Sequence, residues 1–394
     1  MGFTFDPGPV KGETGIEGVY LDFNYGVRIV VPEGDYRVRF YDMDTGNVVY
    51  DAAISNMMAT STKKYYVRFR VELWKGDERI LNHEMDLKGQ NVHFKYPIGT
   101  LGDMIAWFPY ADEFRQKHGC NLYCTMHENM AEIFAPSYPD IHFLKPDDER
   151  PDFYATYYMG LFANEENACY QPIDHRLTGL QKCIPIMLGL EDVEVRPRLK
   201  LPSERIIKEP YVCVAVQTTS YAKYWNNPTG WDETVDYLKK KGYRVLCIDK
   251  YRSLTCSDIV KNMPEGAEDF TGDKPLQERI DLLAHADFFI GLSSGLSWLA
   301  WAVGIPVVMI AGFTYPYEEF HTPYRVINYH VCTGCWNDVN LKYDLDDFFT
   351  CPRFKDTPRR YECSRFITSD HVCRTIDRLM EDNFLTGGTE GREV

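Results

Sequence analysis

The sequence predicts an α/β protein in which two domains of alternating strands and helices follow an all-β region. Three observations predict this fold class. Apolar runs of strand length, each followed by a helical pattern, recur from residue 92 onward. Two glycine-rich turns each join such a strand to a helix, as at the first crossover of a doubly wound sheet. Before residue 92, apolar and polar residues alternate instead, which is typical of strands with one buried face.

The all-β region is predicted over residues 1–91. Its alternating runs include 26–31, 36–41 and 65–73, separated by turns rich in glycine, proline and aspartate. We expect these strands to form a small sandwich or barrel. Because no pattern in the region carries recognisable chemistry, the prediction is an accessory or assembly domain.

The first α/β domain is predicted over residues 92–200. Its first strand, Val92–Tyr96, leads through a glycine turn into a helix over residues 104–116. Further strands are predicted over 121–125, 141–144 and 153–156, and further helices over 128–134 and 175–188. A segment rich in proline and basic residues, 192–201, is predicted to be the linker to the next domain.

The second α/β domain is predicted over residues 201–394. The predicted strands are 211–216, 243–248, 288–290 and 306–310, and the predicted helices are 231–241, 276–285, 294–303 and 370–380. Continuous apolar strands between helices indicate a parallel sheet that is covered on both faces. We expect the two α/β domains to face each other across a cleft, where ligands usually bind.

The first glycine turn, Gly99–Asp103, has a carboxylate at the start of the following helix. Helix N-termini attract anions, so a carboxylate there would compete with a phosphate group. Asp103 is therefore predicted to be a general base that faces a substrate hydroxyl. Thr100, Leu101 and Gly102 are predicted to line the substrate beside it.

The second glycine turn, Gly291–Trp298, also lies between a strand and a helix. Its small residues let backbone amides approach an anion, and a pyrophosphate is the natural ligand. The predicted contacts are Ser293, Ser294, Gly295, Leu296 and Ser297. A strand-to-helix turn with serine caps explains the spacing equally well. Pairing with Asp103 across a cleft favours the ligand.

Lys223 and Thr219 follow the first strand of the second domain. The lysine is predicted to neutralise a diphosphate leaving group, and the threonine hydroxyl to orient it. A solvated surface lysine is the alternative, but the aromatic and amide neighbours favour a buried polar site. Asp249 and Lys250 end the next strand, where the ribose or base of a nucleotide is held in folds of this class.

Four cysteines have the spacing C-x2-C-x15-C-x11-C: Cys332, Cys335, Cys351 and Cys363. Four thiolates without an open position indicate a structural metal site, and the spacing allows zinc or iron. Cys373 is the rival fourth ligand, but it lies in a predicted helix with an apolar stripe, which indicates a core position. The cluster is near the end of the chain, away from both glycine turns, and this favours a structural role.

Charge and composition exclude several classes of protein. The formal net charge of −15 argues against binding to a nucleic-acid backbone. No apolar run is long enough to span a membrane, and the N-terminus does not resemble a secretory signal. We therefore expect a cytoplasmic protein, in which twelve cysteines indicate metal binding or buried thiols more than disulfides.

The turn Gly99–Asp103 resembles the Gly-x-Leu-Gly-Asp turn of the ADP-heptose heptosyltransferases, glycosyltransferase family 9. The second turn, the segment Tyr224–Pro228 and the four cysteines resemble one branch, the bacterial autotransporter heptosyltransferases. The resemblance covers residues 20–380. Lipopolysaccharide heptosyltransferases carry Asp-Thr-Gly-Leu-x-His where this chain has Ser293–Trp298. The missing acidic residue and histidine argue against a lipid A-core acceptor.

The resemblance implies a GT-B fold and an inverting transfer of heptose from ADP-heptose to serine hydroxyls of an autotransporter adhesin. It implies that Asp103 is the base. We expect Lys223 and the backbone amides of the second turn to stabilise the leaving ADP, so that no catalytic metal is needed. The resemblance further implies iron(III), in preference to zinc, in the cysteine site, and a dodecameric ring. Two alternatives stay open: a GT-B transferase with another donor or a saccharide acceptor, and a metal- or redox-sensing protein with a four-thiolate iron site.

Overall fold

The computed structural model describes residues 7–162, 165–256, 259–341 and 351–385. The chain divides into two compact units. The first contains the residues up to Gly99 together with Trp107–Val195, and the second contains Thr100–Ala106 together with the residues from Arg196 onward. Within the described residues, no helix has the length and apolar character needed to cross a bilayer.

The strands in chain order are β1 (Tyr20–Asn24), β2 (Arg28–Val31), β3 (Tyr36–Asp42), β4 (Val48–Ile54), β5 (Met57–Thr60), β6 (Phe69–Lys75), β7 (Glu78–Glu84), β8 (Asn91–Lys95), β9 (Asn121–Thr125), β10 (Ile141–Phe143), β11 (Ala155–Tyr158), β12 (Tyr211–Val214), β13 (Arg244–Cys247), β14 (Ser253–Cys256), β15 (Ile259–Asn262), β16 (Glu268–Asp269), β17 (Phe289–Leu292), β18 (Val307–Ile310) and β19 (Arg325–Val326). The α-helices are α1 (Leu101–Trp107), α2 (Pro109–His118), α3 (Glu128–Phe134), α4 (Cys183–Leu188), α5 (Gly230–Lys240), α6 (Leu276–Leu283), α7 (Gly295–Val303), α8 (Glu362–Arg365) and α9 (Ser369–Leu385). Short 3₁₀ helices include Tyr221–Lys223, which follows β12.

The first unit is built on a seven-stranded sheet with the order β10-β9-β8-β11-β1-β2-β5. The strands from β10 to β1 are parallel, and β2 and β5 add antiparallel pairs at one edge. A separate antiparallel sheet has the order β4-β3-β6-β7. The described residues before β8 form strands and no helix, as predicted. Of these strands, β1, β2 and β5 join the seven-stranded sheet, and β3, β4, β6 and β7 form the antiparallel sheet. The seven-stranded sheet therefore contains strands from both sides of residue 91.

The second unit is built on a parallel sheet with the order β16-β13-β12-β17-β18-β19. Its central strands are buried along their whole length, which explains their continuous apolar sequences. Helices α5 and α9 pack on this core, and the stripe Val372, Ile376 and Leu379 is fully buried. The predicted parallel sheet is therefore present.

The helix predicted over residues 104–116 is two helices. Helix α1 ends at Trp107, and Pro109 is the first residue of α2. Proline has no backbone N–H to donate within a helix, but it is well tolerated at the first helical position. The break therefore lies where the chain has its proline.

Candidate active site

The first glycine turn joins β8 to α1. Gly99 has a φ of 131°, a conformation that favours glycine. The Thr100 backbone N–H and hydroxyl both donate to Oδ2 of Asp103, at 2.5 and 2.9 Å. The Thr100 N–H lies just before the helix and has no acceptor within it, so the Asp103 carboxylate supplies one. These two bonds fix the Asp103 side chain.

The other carboxylate oxygen of Asp103, Oδ1, accepts no hydrogen bond from any residue that the structure describes. The side chain is only partly exposed. One oxygen therefore anchors the residue, while the second is available to a ligand. A fixed carboxylate with a free oxygen is suited to accept a proton from a bound hydroxyl group.

The second glycine turn joins β17 to α7. The Ser297 hydroxyl is fully buried and donates to the Leu292 carbonyl at 2.5 Å, which ties the strand end to the helix. Ser293 is buried as well. The Ser294 hydroxyl oxygen is buried without a hydrogen-bond partner among the described residues, and it does not cap α7. The first amides of α7, at Gly295 and Leu296, have no acceptor within the helix. This turn therefore has polar groups left to bind an anion.

The two glycine turns pack directly against each other within the second unit. A Cβ atom added to Gly295 would lie 2.9 Å from Leu101 Cβ and 3.1 Å from the Gly102 nitrogen. A Cβ added to Gly102 would lie 2.9 Å from Cδ1 of the buried Trp298. Only glycine fits at both positions. Residues Thr100–Ala106 belong to the same unit as α7.

Lys223 ends the 3₁₀ helix after β12 and is partly buried. Its Nζ lies 5.8 Å from the centre of the Trp336 ring. The carboxylate of Glu318, which is 5% exposed, accepts hydrogen bonds from Trp336 Nε1 at 2.7 Å and Asn337 Nδ2 at 2.8 Å. Burial raises the pKa of Glu318 to about 8, and the Lys223 charge acts to lower it. The aromatic side chain and the carboxylate thus form the surroundings of Lys223.

Sequence reasoning missed Glu318. The only signal is the pair Glu318-Glu319 in a stretch rich in aromatic residues. The structure separates the roles of the two carboxylates. Glu319 is ion-paired with Arg325 at 2.8 Å, whereas Glu318 is held by neutral donors and lies near Lys223.

The other predicted nucleotide contacts differ in their surroundings. Thr219 is exposed on the loop after β12. Asp249 is 1% exposed, and its two carboxylate oxygens accept from the backbone N–H groups of Val216 at 2.8 Å and Gln217 at 3.1 Å. Burial raises the pKa of Asp249 to about 6. This geometry favours a role in shaping the loop over a contact with ribose. Lys250 is ion-paired with Asp273 at 3.0 Å.

The four predicted metal ligands, Cys332, Cys335, Cys351 and Cys363, come close enough for each thiol to interact electrostatically with the other three. Burial, reinforced by neighbouring thiols, raises the pKa of Cys332 to about 12. Burial also raises the pKa of Cys335, to about 11. A set of four thiols suits zinc or iron. Among the described residues, however, no three ligand side chains are arranged tightly enough to hold an ion.

Cys373, the rival ligand, lies on α9. The groups that influence its thiol are Asp377, Asp370, Glu233 and Lys241, together with burial, and none of the four clustered cysteines. The structure therefore groups the four cysteines that the sequence analysis favoured.

The cysteine cluster packs against the segment that carries Lys223. Cys335 and Cys351 share a buried apolar cluster with Tyr221 and Tyr224. The Asn226 side chain donates to the Ser364 hydroxyl at 3.0 Å, next to Cys363. The cysteine cluster therefore packs against residues on both sides of Lys223, a predicted site residue.

A cavity of about 730 Å³ lies in the first unit. Lys63, Tyr66, Arg68, Lys117 and His118 are among its lining residues. None of the predicted site residues lines it, so the cavity does not coincide with the chemistry described above.

Residues 15–77 match the family model "Glycosyltransferase TibC, N-terminal domain", and residues 179–344 match "Glycosyltransferase family 9 (heptosyltransferase)". The chain is 50% identical to the autotransporter heptosyltransferase Aah of Escherichia coli, over 92% of this chain and 93% of Aah. It is 47% identical to the autotransporter heptosyltransferase BAHTCr of Citrobacter rodentium, over 96% of this chain and 93% of the relative.

A solved structure shares the fold. The crystal structure of TibC from enterotoxigenic E. coli H10407, described as an iron-containing dodecameric glycosyltransferase, has a TM-score of 0.93 and 45% identity to this chain. The match covers 96% of this chain and 99% of TibC. TibC has also been crystallised in complex with ADP-D-β-D-heptose. The predicted fold class, a GT-B-like α/β fold with an N-terminal all-β region, agrees with this similarity.

Proposed function

Because the chain belongs to the autotransporter heptosyltransferase family, within glycosyltransferase family 9, we propose that it transfers heptose from ADP-heptose to serine hydroxyls of an autotransporter adhesin. The transfer inverts the anomeric carbon. One observation carries the proposal: Asp103 Oδ1 accepts no hydrogen bond from the described part of the chain, and Asp103 lies in the same unit as the N-terminal amides of α7. A base and an anion-binding helix end are the two groups that this displacement needs.

In the proposed reaction, the serine oxygen attacks the anomeric carbon while Asp103 Oδ1 takes the serine proton. The bond between the anomeric carbon and the phosphate oxygen breaks, and its electron pair leaves with ADP. Lys223 and the amides of Gly295 and Leu296 stabilise the charge that develops on the phosphate. The products are a heptosylated serine and ADP.

The surrounding residues fit these two roles, which are proton acceptance by Asp103 and stabilisation of the phosphates. Thr100, Leu101 and Gly102 border the acceptor side, where Thr100 keeps Asp103 in place. The Ser294 hydroxyl, which has no hydrogen-bond partner in the described ranges, and the exposed Thr219 are the polar side chains that we propose bind the phosphates. Ser293, Ser297 and Asp249 are buried and act by shaping the two loops.

Cys332, Cys335, Cys351 and Cys363 are the residues that would hold a structural metal ion, and we propose iron(III) because TibC is iron-containing. When bound, the ion would crosslink the segments around it and thereby stiffen the support beneath Lys223. We also propose a dodecamer, because TibC is described as dodecameric, and we propose that the twelve chains form a ring. We further propose a cytoplasmic reaction, because nucleotide-sugars are found in the cytoplasm.

The proposal is tested by intact-mass analysis of an autotransporter adhesin passenger co-expressed with this chain. We expect mass increments of one heptose each, located on serine residues by fragmentation. The same passenger, expressed without the chain, is the control. In a purified reaction, ADP-heptose should support transfer, whereas ADP-glucose and UDP-glucose should not.

Two results would contradict the proposal. Hexose-sized increments would favour a GT-B transferase with another donor. An unmodified passenger under all donors, together with an iron-type absorption spectrum, would favour a metal- or redox-sensing protein.

A further inference from the structure

We propose that Lys261 is a second cationic ligand for the diphosphate of the nucleotide-sugar and acts together with Lys223. This inference rests on the proposed function and extends it to a residue outside both glycine turns. Lys261 lies on β15, in the antiparallel hairpin that β14 and β15 form between β13 and β16.

The base of this hairpin is fixed to the loop that leads to Lys223. The Gln217 side chain, just after β12, donates to the Tyr251 carbonyl at 2.5 Å, just before β14. In the hairpin, Lys261 pairs with Leu254, one position from the base pair of Ser253 and Asn262. Lys261 is thus near the end of the hairpin that the loop after β12 holds.

The Lys261 side chain reaches the segment that carries Lys223. Its Nζ lies 5.7 Å from the centre of the Tyr224 ring. Tyr224 directly follows Lys223 and stacks on Tyr221 with a distance of 5.0 Å between ring centres. Lys223 is next to Tyr224 in the sequence, and the Lys261 side chain approaches the Tyr224 ring. Both lysines therefore lie beside the same stacked pair of tyrosines.

Neither lysine forms an ion pair or a side-chain hydrogen bond with any described residue, although the chain carries a formal net charge of −15. Both side chains are partly buried. Burial lowers the pKa of Lys261, and no carboxylate within the residues that the structure describes offsets the effect. For Lys261, partial burial without an ion-pair partner among the described residues costs free energy. An anionic ligand that binds here would remove this cost.

A nucleoside diphosphate is the anion that suits two lysines. Its two phosphates carry more negative charge than one lysine neutralises, and further charge develops as the diphosphate leaves. Lysine acts on phosphate as a compact point charge, so it needs no fixed planar geometry. A second lysine on a hairpin can therefore add to the first without a metal ion in the same place.

The test is calorimetric measurement of ADP and adenosine binding to the full-length protein. The variants are Lys261→Gln, Lys223→Gln and the double variant, and the control is Lys208→Gln, an exposed lysine of the same unit. We expect Lys261→Gln to weaken ADP binding about tenfold to hundredfold, as for loss of a charge-assisted bond. Adenosine binding and the Lys208→Gln control should be unchanged. Lys261→Arg should retain most of the ADP affinity.

The outcomes separate this inference from the proposed function. Unchanged ADP affinity in Lys261→Gln, with a loss in Lys223→Gln, would overturn the role of Lys261 alone. Unchanged affinity in both variants would overturn the nucleotide site itself. Equal losses for ADP and adenosine would show that Lys261 holds the nucleoside, which also overturns the inference. If Lys261→Gln does not fold, Lys261→Met replaces it. A wild-type ADP affinity in Lys261→Met would then overturn the inference.

Discussion

At the scale of single residues, Asp103 shows how one side chain can be both anchored and reactive. Thr100 binds Oδ2 through two hydrogen bonds, and Oδ1 has no partner among the described residues. The sequence could predict a carboxylate at the turn, because residue type and position suffice for that. It could not predict which oxygen is free, because that depends on the rotamer and on the neighbouring threonine.

Glu318 gives a prediction about pH. Its folded-state pKa of about 8 lies above the ordinary value of 4.5, so the folded protein holds this proton more tightly than the unfolded chain. The contribution to stability is therefore full below pH 4.5 and is lost as pH rises through 8. Glu318→Gln cannot titrate, and we expect it to remove a decline of up to about 5 kcal/mol between these limits.

The measurement is the free energy of unfolding from urea titrations between pH 6 and pH 8. The exposed Glu204→Gln variant is the control and should keep the wild-type slope. If Glu318→Gln loses stability with pH as steeply as the wild type, Glu318 is not the titrating group.

At the scale of elements, the sequence predicted the four central strands of the second sheet, β13, β12, β17 and β18, because they are buried and mostly apolar. It did not predict the two-residue edge strands β16 and β19. It did not predict where β1 belongs. Phe23 on β1 pairs with Ala155 on β11, and no local pattern reveals a partner so distant along the chain. The same limit applies to the cysteine cluster. Its spacing indicated four ligands, but not that they support the segment of Lys223.

This packing predicts a link between the metal site and nucleotide binding. We expect Cys335→Ser to lose the bound metal and to weaken ADP binding, because Cys335 shares its core with Tyr221 and Tyr224. Elemental analysis and calorimetry measure the two effects. Cys373→Ser on α9 is the matched control and should change neither. A metal-free Cys335→Ser protein with wild-type ADP affinity would show that the cluster does not support Lys223.

At the scale of the whole molecule, the sequence prediction placed Asp103 in the first α/β domain, because it follows the first strand of that domain. In the structure, the close approach of Gly102 and Gly295 groups residues 100–106 with the second unit. This contact joins residues about 190 positions apart. Motif spacing in the sequence therefore could not predict it, and the folded structure is needed to see it.

Asp103 is the proposed base for glycosyl transfer, in a site that binds the nucleotide through other residues. The most direct test compares Asp103→Asn with the wild type in a purified reaction with ADP-heptose and an adhesin passenger. Asparagine keeps the size of the side chain and an oxygen for the Thr100 N–H, but it cannot take the proton. We expect transfer to fall by about 10²- to 10⁴-fold while the affinity for ADP stays within about twofold of the wild type. Retention of most of the transfer rate in Asp103→Asn would contradict the account.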